Sequence, residues 1–113
     1  MYTPKQGDII WITLDPREGN EQMGRRPALV VTNNTFHSFT KGLAMVCPIT
    51  NTKKNLPIQP ELKKGLRTSG VIMCDQAKIL DVLKRKAEFI EKIDDETLFE
   101  AVDIINGFIE IEE

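Results

Sequence analysis

Apolar residues in this chain fall first into short runs and only near the end into helical spacing. Gly7-Asp8 introduces Ile9-Ile10-Trp11-Ile12-Thr13-Leu14, a β-branched and aromatic run stopped by Asp15-Pro16, which predicts a first, central strand. The polar stretch Arg17 to Arg26, with glycines at 19 and 24, predicts a long loop. Ala28-Leu29-Val30-Val31-Thr32 predicts a second strand ended by Asn33-Asn34, and Leu43 to Ile49 a third. Pro48 inside that third run implies an edge strand or a bulge, because proline cannot donate to a ladder. Lys53 to Gly70 is polar, with Pro57, Pro60, Gly65 and Gly70, and reads as loops around at most one short strand at Leu56 to Ile58. Val71 to Cys74, Ala77 to Val82 and Ala87 to Ile93 read as further strands. Leu98, Ala101, Val102, Ile105 and Ile109 recur at spacings of three and four, the mark of an amphipathic helix. Asp94-Asp95-Glu96 suits its N-terminus through capping and the dipole, while Gly107 costs roughly 1 kcal/mol against alanine and weakens the helix there. Short strands with one strong terminal helix predict a mainly β fold, a small and partly open barrel.

Length and composition narrow the picture. With 113 residues and 41% apolar content, residues 1–113 make one domain with one core. Cys47 and Cys74 have no paired spacing, so neither a zinc site nor a disulfide framework is suggested and a reducing cytoplasm fits. The N-terminus lacks the apolar run of a signal peptide and no stretch has the length of a membrane span, so a soluble cytoplasmic protein is expected. The net charge of −2 hides a polarity: ten basic against five acidic residues up to Gly70, then five against twelve. A basic section of that kind can gather a polyanion while an acidic tail keeps the chain soluble; the same imbalance also arises among ordinary solvated side chains.

Gly7-Asp8-Ile9-Ile10-Trp11, Asp15-Pro16, Gly19, Glu21-Gln22, Gly24 and Arg26-Pro27-Ala28-Leu29-Val30-Val31, in this order and spacing, resemble the opening of MazF/PemK toxins. Pro48-Ile49-Thr50 is similar to that family's second motif, and Arg67 to Gln76 (RTSGVIMCDQ) to its third, nearest to the plasmid-borne Kid/PemK members. The resemblance runs from about Gly7 to about Asp81, with the terminal helix in the expected place. It implies an SH3-like barrel, a homodimer, metal-independent and sequence-selective cutting of single-stranded mRNA, a cognate MazE-like antitoxin, and DNA binding in complex with that antitoxin.

RNA can be cleaved by its own 2′-hydroxyl attacking the adjacent phosphorus, so a protein need only take that proton, stabilise the added negative charge and help the 5′-oxygen leave. Arg26 suits charge stabilisation, since a guanidinium holds two phosphate oxygens in a fixed fork and stays charged; as a plain sequence feature, Arg25-Arg26 is also a solvated basic turn before Pro27. Glu21, on the same loop, is the candidate general base, with pairing to Arg17 or Arg25 as its ordinary alternative. Thr50 ends the third run, where its hydroxyl can donate to a phosphate oxygen, and the matching threonine of the family joins the active site. Asn20, Gln22, Gly24, Arg25, Asp75 and Gln76 are the candidate RNA-binding residues. Asp75 is the alternative general base, since some plasmid-borne relatives use an aspartate here with an arginine and a histidine. This chain has Met73 and Asn20 where those two would match, so Asp75-Gln76 organises the loop or contacts a base edge instead.

The single histidine, His37, lies beyond the motif and reads as a surface-loop residue; Phe36, Phe39 and Tyr2 either stack on splayed bases or pack on the core. Asp8, Asp15, Glu21 and Asp75 are scattered and lack a histidine partner, and no glycine-rich phosphate loop or serine or cysteine triad is present, so neither a metal nor another cofactor is expected. The competing reading is a CcdB-like, non-enzymatic gyrase poison on the same barrel, because fold alone does not separate the two.

Overall fold

The computed structural model describes residues 2–14, 24–52 and 56–113. Its strands are β1 (Asp8–Leu14), β2 (Gly24–Val30), β3 (Leu43–Thr50), β4 (Val71–Ile72), β5 (Lys78–Asp81) and β6 (Glu88–Lys92); its helices are α1 (Asn34–Thr40) and α2 (Asp95–Phe108). The strands form one antiparallel, half-barrel sheet in the order β4-β3-β2-β1-β6, with β5 also paired to β3. β1 is central, as its apolar run requires.

Period-two alternation sends side chains to two apolar clusters. Ile9, Leu29, Cys47, Ile49 and Ile72 form one, and α2 closes it with Leu98, Ala101, Val102 and Ile105. Ile10, Ile12, Ala28, Val30, Val46 and Val82 form the other, on the opposite face of the sheet. Asp8 is buried yet satisfied: it accepts from Tyr2 Oη at 2.6 Å and Lys5 N at 3.0 Å and pairs with Lys92 Nζ at 2.6 Å, tying the N-terminal segment to β6. That bond and burial push the Tyr2 phenol above its ordinary range.

Five local expectations change. β2 starts at Gly24, so Arg25 and Arg26 are strand residues; pairing with Thr13 and Ile12 carries the ladder past the polar side chains. β3 is not an edge: Pro48 sits where β3 exchanges β5, its partner along Leu43–Val46, for β4, its partner at Ile49 and Thr50. The strand expected to run to Cys74 stops at Ile72 and gives way to a 3-10 turn over Cys74–Gln76. Asn34–Thr40 is a helix capped by Asn33, whose side chain accepts from Phe36 N at 2.9 Å; its polar sequence gave no periodic signal, and Leu56–Gln59 is a turn rather than a strand.

Gly70 has φ +120°, and a Cβ there would lie 2.3 Å from the Thr50 carbonyl oxygen. Gly65, at φ +103°, faces open space. Gly65→Ala should therefore cost about 1–2 kcal/mol from handedness alone, and Gly70→Ala roughly 3 kcal/mol or more, read as urea-unfolding midpoints. At α2, burial alone would raise the Asp94 pKa, but the backbone N–H (2.9 Å) and hydroxyl (2.8 Å) of Thr97 and the Lys63 ammonium hold it below the usual carboxylate range. Its stabilisation is thus complete above the unfolded value of about 3.9 and lost as pH falls through the folded value. Asp94→Ala should cost about 1 kcal/mol at neutral pH, and the difference should shrink between about pH 5 and pH 2 in the same assay.

Candidate active site

Adjacent residues of β2 serve opposite faces of the sheet. Arg26 pairs with Ile12 and has the parity of Ala28 and Val30, whereas Arg25 pairs with Thr13 and has the parity of Pro27 and Leu29. The β2–β3 register sets Ala28 opposite Pro48, and two further residues along both strands bring Arg26 level with Thr50. Thr50 shares the parity of Ala44 and Val46, so both side chains belong to one face at one end of the sheet. Thr50 is buried, and its Oγ1 accepts from Thr52 N at 3.2 Å, which leaves the hydroxyl proton to donate. Arg26 is half-buried, a setting in which a fixed guanidinium acts on a phosphate more strongly than in open water.

Arg25 is anchored on the other face. Its guanidinium donates to Lys86 O at 2.8 Å and Glu88 Oε1 at 2.7 Å, with a longer contact of 3.4 Å to Thr13 Oγ1. Glu88 is well exposed, so the pair contributes little stability and can be exchanged for another anion.

On this same face a cleft of about 540 Å³ opens beside β1, β6 and the segment that precedes β4, with Trp11, Asn51, Arg67, Ser69 and Phe89 among its walls. Trp11 and Phe89 are 42% and 54% exposed. Ser69 Oγ donates to Asn51 Oδ1 at 3.0 Å, so the Asn51 amide keeps its own N–H donors. Aromatic faces beside amide and guanidinium donors suit an unpaired base and its backbone. In the sequence Trp11 and Arg67 to Ser69 stand out only as parts of the family motifs, and Asn51 and Phe89 carry no signal of a site.

Asp75 and Gln76 ride on the 3-10 turn after β4, close along the chain to Val71, the partner of Thr50. Asp75 accepts from Gln59 Nε2 at 3.3 Å, a contact that organises the loop. Gly24 opens β2 opposite Leu14 at φ +79°, the left-handed conformation that favours glycine. Asn20, Glu21 and Gln22 lie outside the described residues.

His37 sits on α1, which joins the far ends of β2 and β3, so the topology places it at the opposite end of the sheet from Arg26 and Thr50. Its Nε2 lies 2.7 Å from Thr32 Oγ1, and burial lowers its pKa. A hydrogen bond with Cys74, together with burial, pushes the Cys47 thiol far above its ordinary range, which suits packing rather than nucleophilic attack. Among the described residues no three His, Cys, Asp or Glu side chains converge as metal ligands.

Comparison with known proteins bears on this geometry. Residues 5–108 match the model of the PemK-like, MazF-like toxin of type II toxin-antitoxin system. The endoribonuclease toxin MazF of Escherichia coli K12 is 38% identical over 77 residues, covering 68% of each chain. The endoribonuclease PemK of Escherichia coli is 36% identical over 93 residues, covering 79% of this chain and 69% of its own. The crystal structure of MazF from Deinococcus radiodurans superposes with a TM-score of 0.89 at 33% identity, covering 96% of this chain and 98% of that one. MazF in a MazE–MazF crystal from the same organism gives a TM-score of 0.83 at 28% identity, covering 99% of this chain and 100% of that one. With the match spanning both strands that carry Arg26 and Thr50, this chain belongs to the PemK-like, MazF-like toxin family of type II toxin-antitoxin systems.

Proposed function

We propose that this chain, a toxin endoribonuclease by family, cuts single-stranded mRNA by in-line attack of the substrate's own 2′-hydroxyl and needs no metal ion. The observation that carries the reading is the β2–β3 register, which, continued two residues past the pair Ala28 and Pro48, sets Arg26 level with Thr50 at one end of the sheet. Arg26 stabilises the charge that grows on the phosphate oxygens, and the Thr50 hydroxyl donates to one of them. Glu21 is the proposed proton acceptor, with Asp75 the alternative. Asn20, Gln22, Gly24, Arg25 and Gln76 help to hold and select bases, and the strand, passing round the end of the sheet beside Pro27 and Asn51 to the face of Arg25, stacks a further base on Trp11 or Phe89. The attack leaves a 2′,3′-cyclic phosphate on one fragment and a 5′-hydroxyl on the other.

Two subunits would lengthen the RNA groove beyond what one small barrel offers, and a cytoplasmic homodimer is the proposed working form. A MazE-like antitoxin is its proposed partner, with an acidic C-terminal segment that imitates RNA over the Arg25-Arg26 region.

A long defined RNA incubated with the protein in EDTA should yield discrete cuts with cyclic-phosphate and 5′-hydroxyl ends; RNA left intact with and without added divalent cations would favour the binding-only poison. Arg26→Ala should slow single-turnover cleavage roughly a hundred- to a thousandfold, the loss typical of removing one preorganised donor, with a smaller effect on affinity. Arg26→Lys keeps the charge without the fork and should restore binding better than cleavage. Parental cleavage by a folded Arg26→Ala protein would remove Arg26 from the mechanism.

A further inference from the structure

Beside Trp11 and Phe89, the cleft is lined by Arg67, Thr68 and Ser69, from a segment with no secondary structure of its own, Arg67 to Gly70. One side chain outside the cleft lining holds it in place. Glu91, on β6, accepts from Arg67 N at 3.0 Å with one carboxylate oxygen, and from Thr68 N at 2.8 Å and Thr68 Oγ1 at 2.7 Å with the other. The Arg67 guanidinium closes the same junction by donating to Ile90 O. At the far end, Gly70 lies against the Thr50 carbonyl and Ser69 is bonded to Asn51. The segment therefore spans from β6 to the last residues of β3, tied at both ends.

We propose that Glu91 is a positioning residue for RNA binding: through its hydrogen bonds to Arg67 and Thr68 it fixes where Arg67, Thr68 and Ser69 stand in the cleft that they share with Trp11 and Phe89. The proposal rests on the reading of this cleft as part of an RNA site. Glu91 touches no substrate; it acts through Arg67, Thr68 and Ser69. A carboxylate is suited to the task because its two oxygens accept from several donors at once, and charge-assisted bonds of this kind are stronger than neutral ones. The segment lacks a ladder to hold it, so loss of the carboxylate leaves the wall free to move while both apolar clusters remain intact.

The test compares the parent with Glu91→Ala, Glu91→Gln and Thr68→Val. Each is measured for steady-state cleavage of an RNA oligonucleotide carrying one mapped cut site. Each is also measured for affinity toward the same oligonucleotide with a 2′-deoxy sugar at that site. Glu91→Ala should raise KM and weaken affinity about tenfold while kcat stays within about threefold. Glu91→Gln keeps an acceptor oxygen and should recover most of that loss, and Thr68→Val, which removes one of the three bonds, should weaken affinity about threefold. Thermal unfolding of Glu91→Gln should match the parent. The proposal is overturned if Glu91→Ala binds as the parent does, or if Glu91→Gln melts like the parent without regaining affinity over Glu91→Ala. Should the parent cut no RNA, affinity is read instead on a single-stranded oligonucleotide of the same length with 2′-deoxy sugars throughout, so a failure of the nuclease reading and a failure of this one give different results.

Discussion

The partner exchange along β3 is the constraint on which the rest of this structure depends. Pro48 O accepts from Met73 N at 2.8 Å, so Pro48 faces the β4 side of β3. The N and C=O of a strand residue point the same way, and the donor that proline lacks is therefore missing on that side only. β5 occupies this side up to Val46 and β4 takes over at Ile49, which leaves the donorless position at the break between them. On its other side β3 pairs with β2 without interruption from Val46 to Pro48. A proline that argues against a central strand thus sits in one, because the sheet changes partners there.

This exchange frees the end of β3 for chemistry. β4 is only two residues long, and it clamps Thr50 through Val71 while Gly70 presses on the Thr50 carbonyl. Thr50 is buried by that contact, with its hydroxyl tied to the next turn and its proton available. Arg26 reaches the same level from the neighbouring strand. In the mechanism proposed above the nucleophile arrives with the RNA, and a site that only has to hold a phosphate and oppose its growing charge can be as small as this.

Charge along the chain behaves differently in three dimensions. The basic first section and the acidic second section are not separate faces: Arg25 bonds to Glu88, Lys63 to Asp94 and Glu96, and Lys92 to Asp8. The antiparallel pairing of β1 with β6 brings the two sections together. The Arg25 and Lys63 contacts are partly exposed and weak, so a polyanion can compete for those cations, whereas Lys92 meets a buried Asp8 carboxylate and ties the N-terminal segment to β6.

Much of the architecture was legible in the residues themselves. The Ile9–Leu14 run and the Asp94 cap with its three- and four-residue spacing specify β1 and α2, because burial of one face and satisfaction of helix-end donors are local demands. The order of motifs singles out Arg26 and Thr50, whose role in cleavage is the proposal made above. Only the tertiary structure decided that Arg25 and Arg26 are strand residues and so face opposite ways, since pairing with Thr13 and Ile12 draws them into β2. It also decided that α1 forms on a polar stretch with no apolar period, and that His37 lies at the far end of the sheet. Pairing partners and the meeting of Glu91 with Arg67, 24 residues apart, depend on contacts between segments distant in sequence. Single-residue patterns report which face a side chain wants to bury; they carry no record of which strand lies beside it.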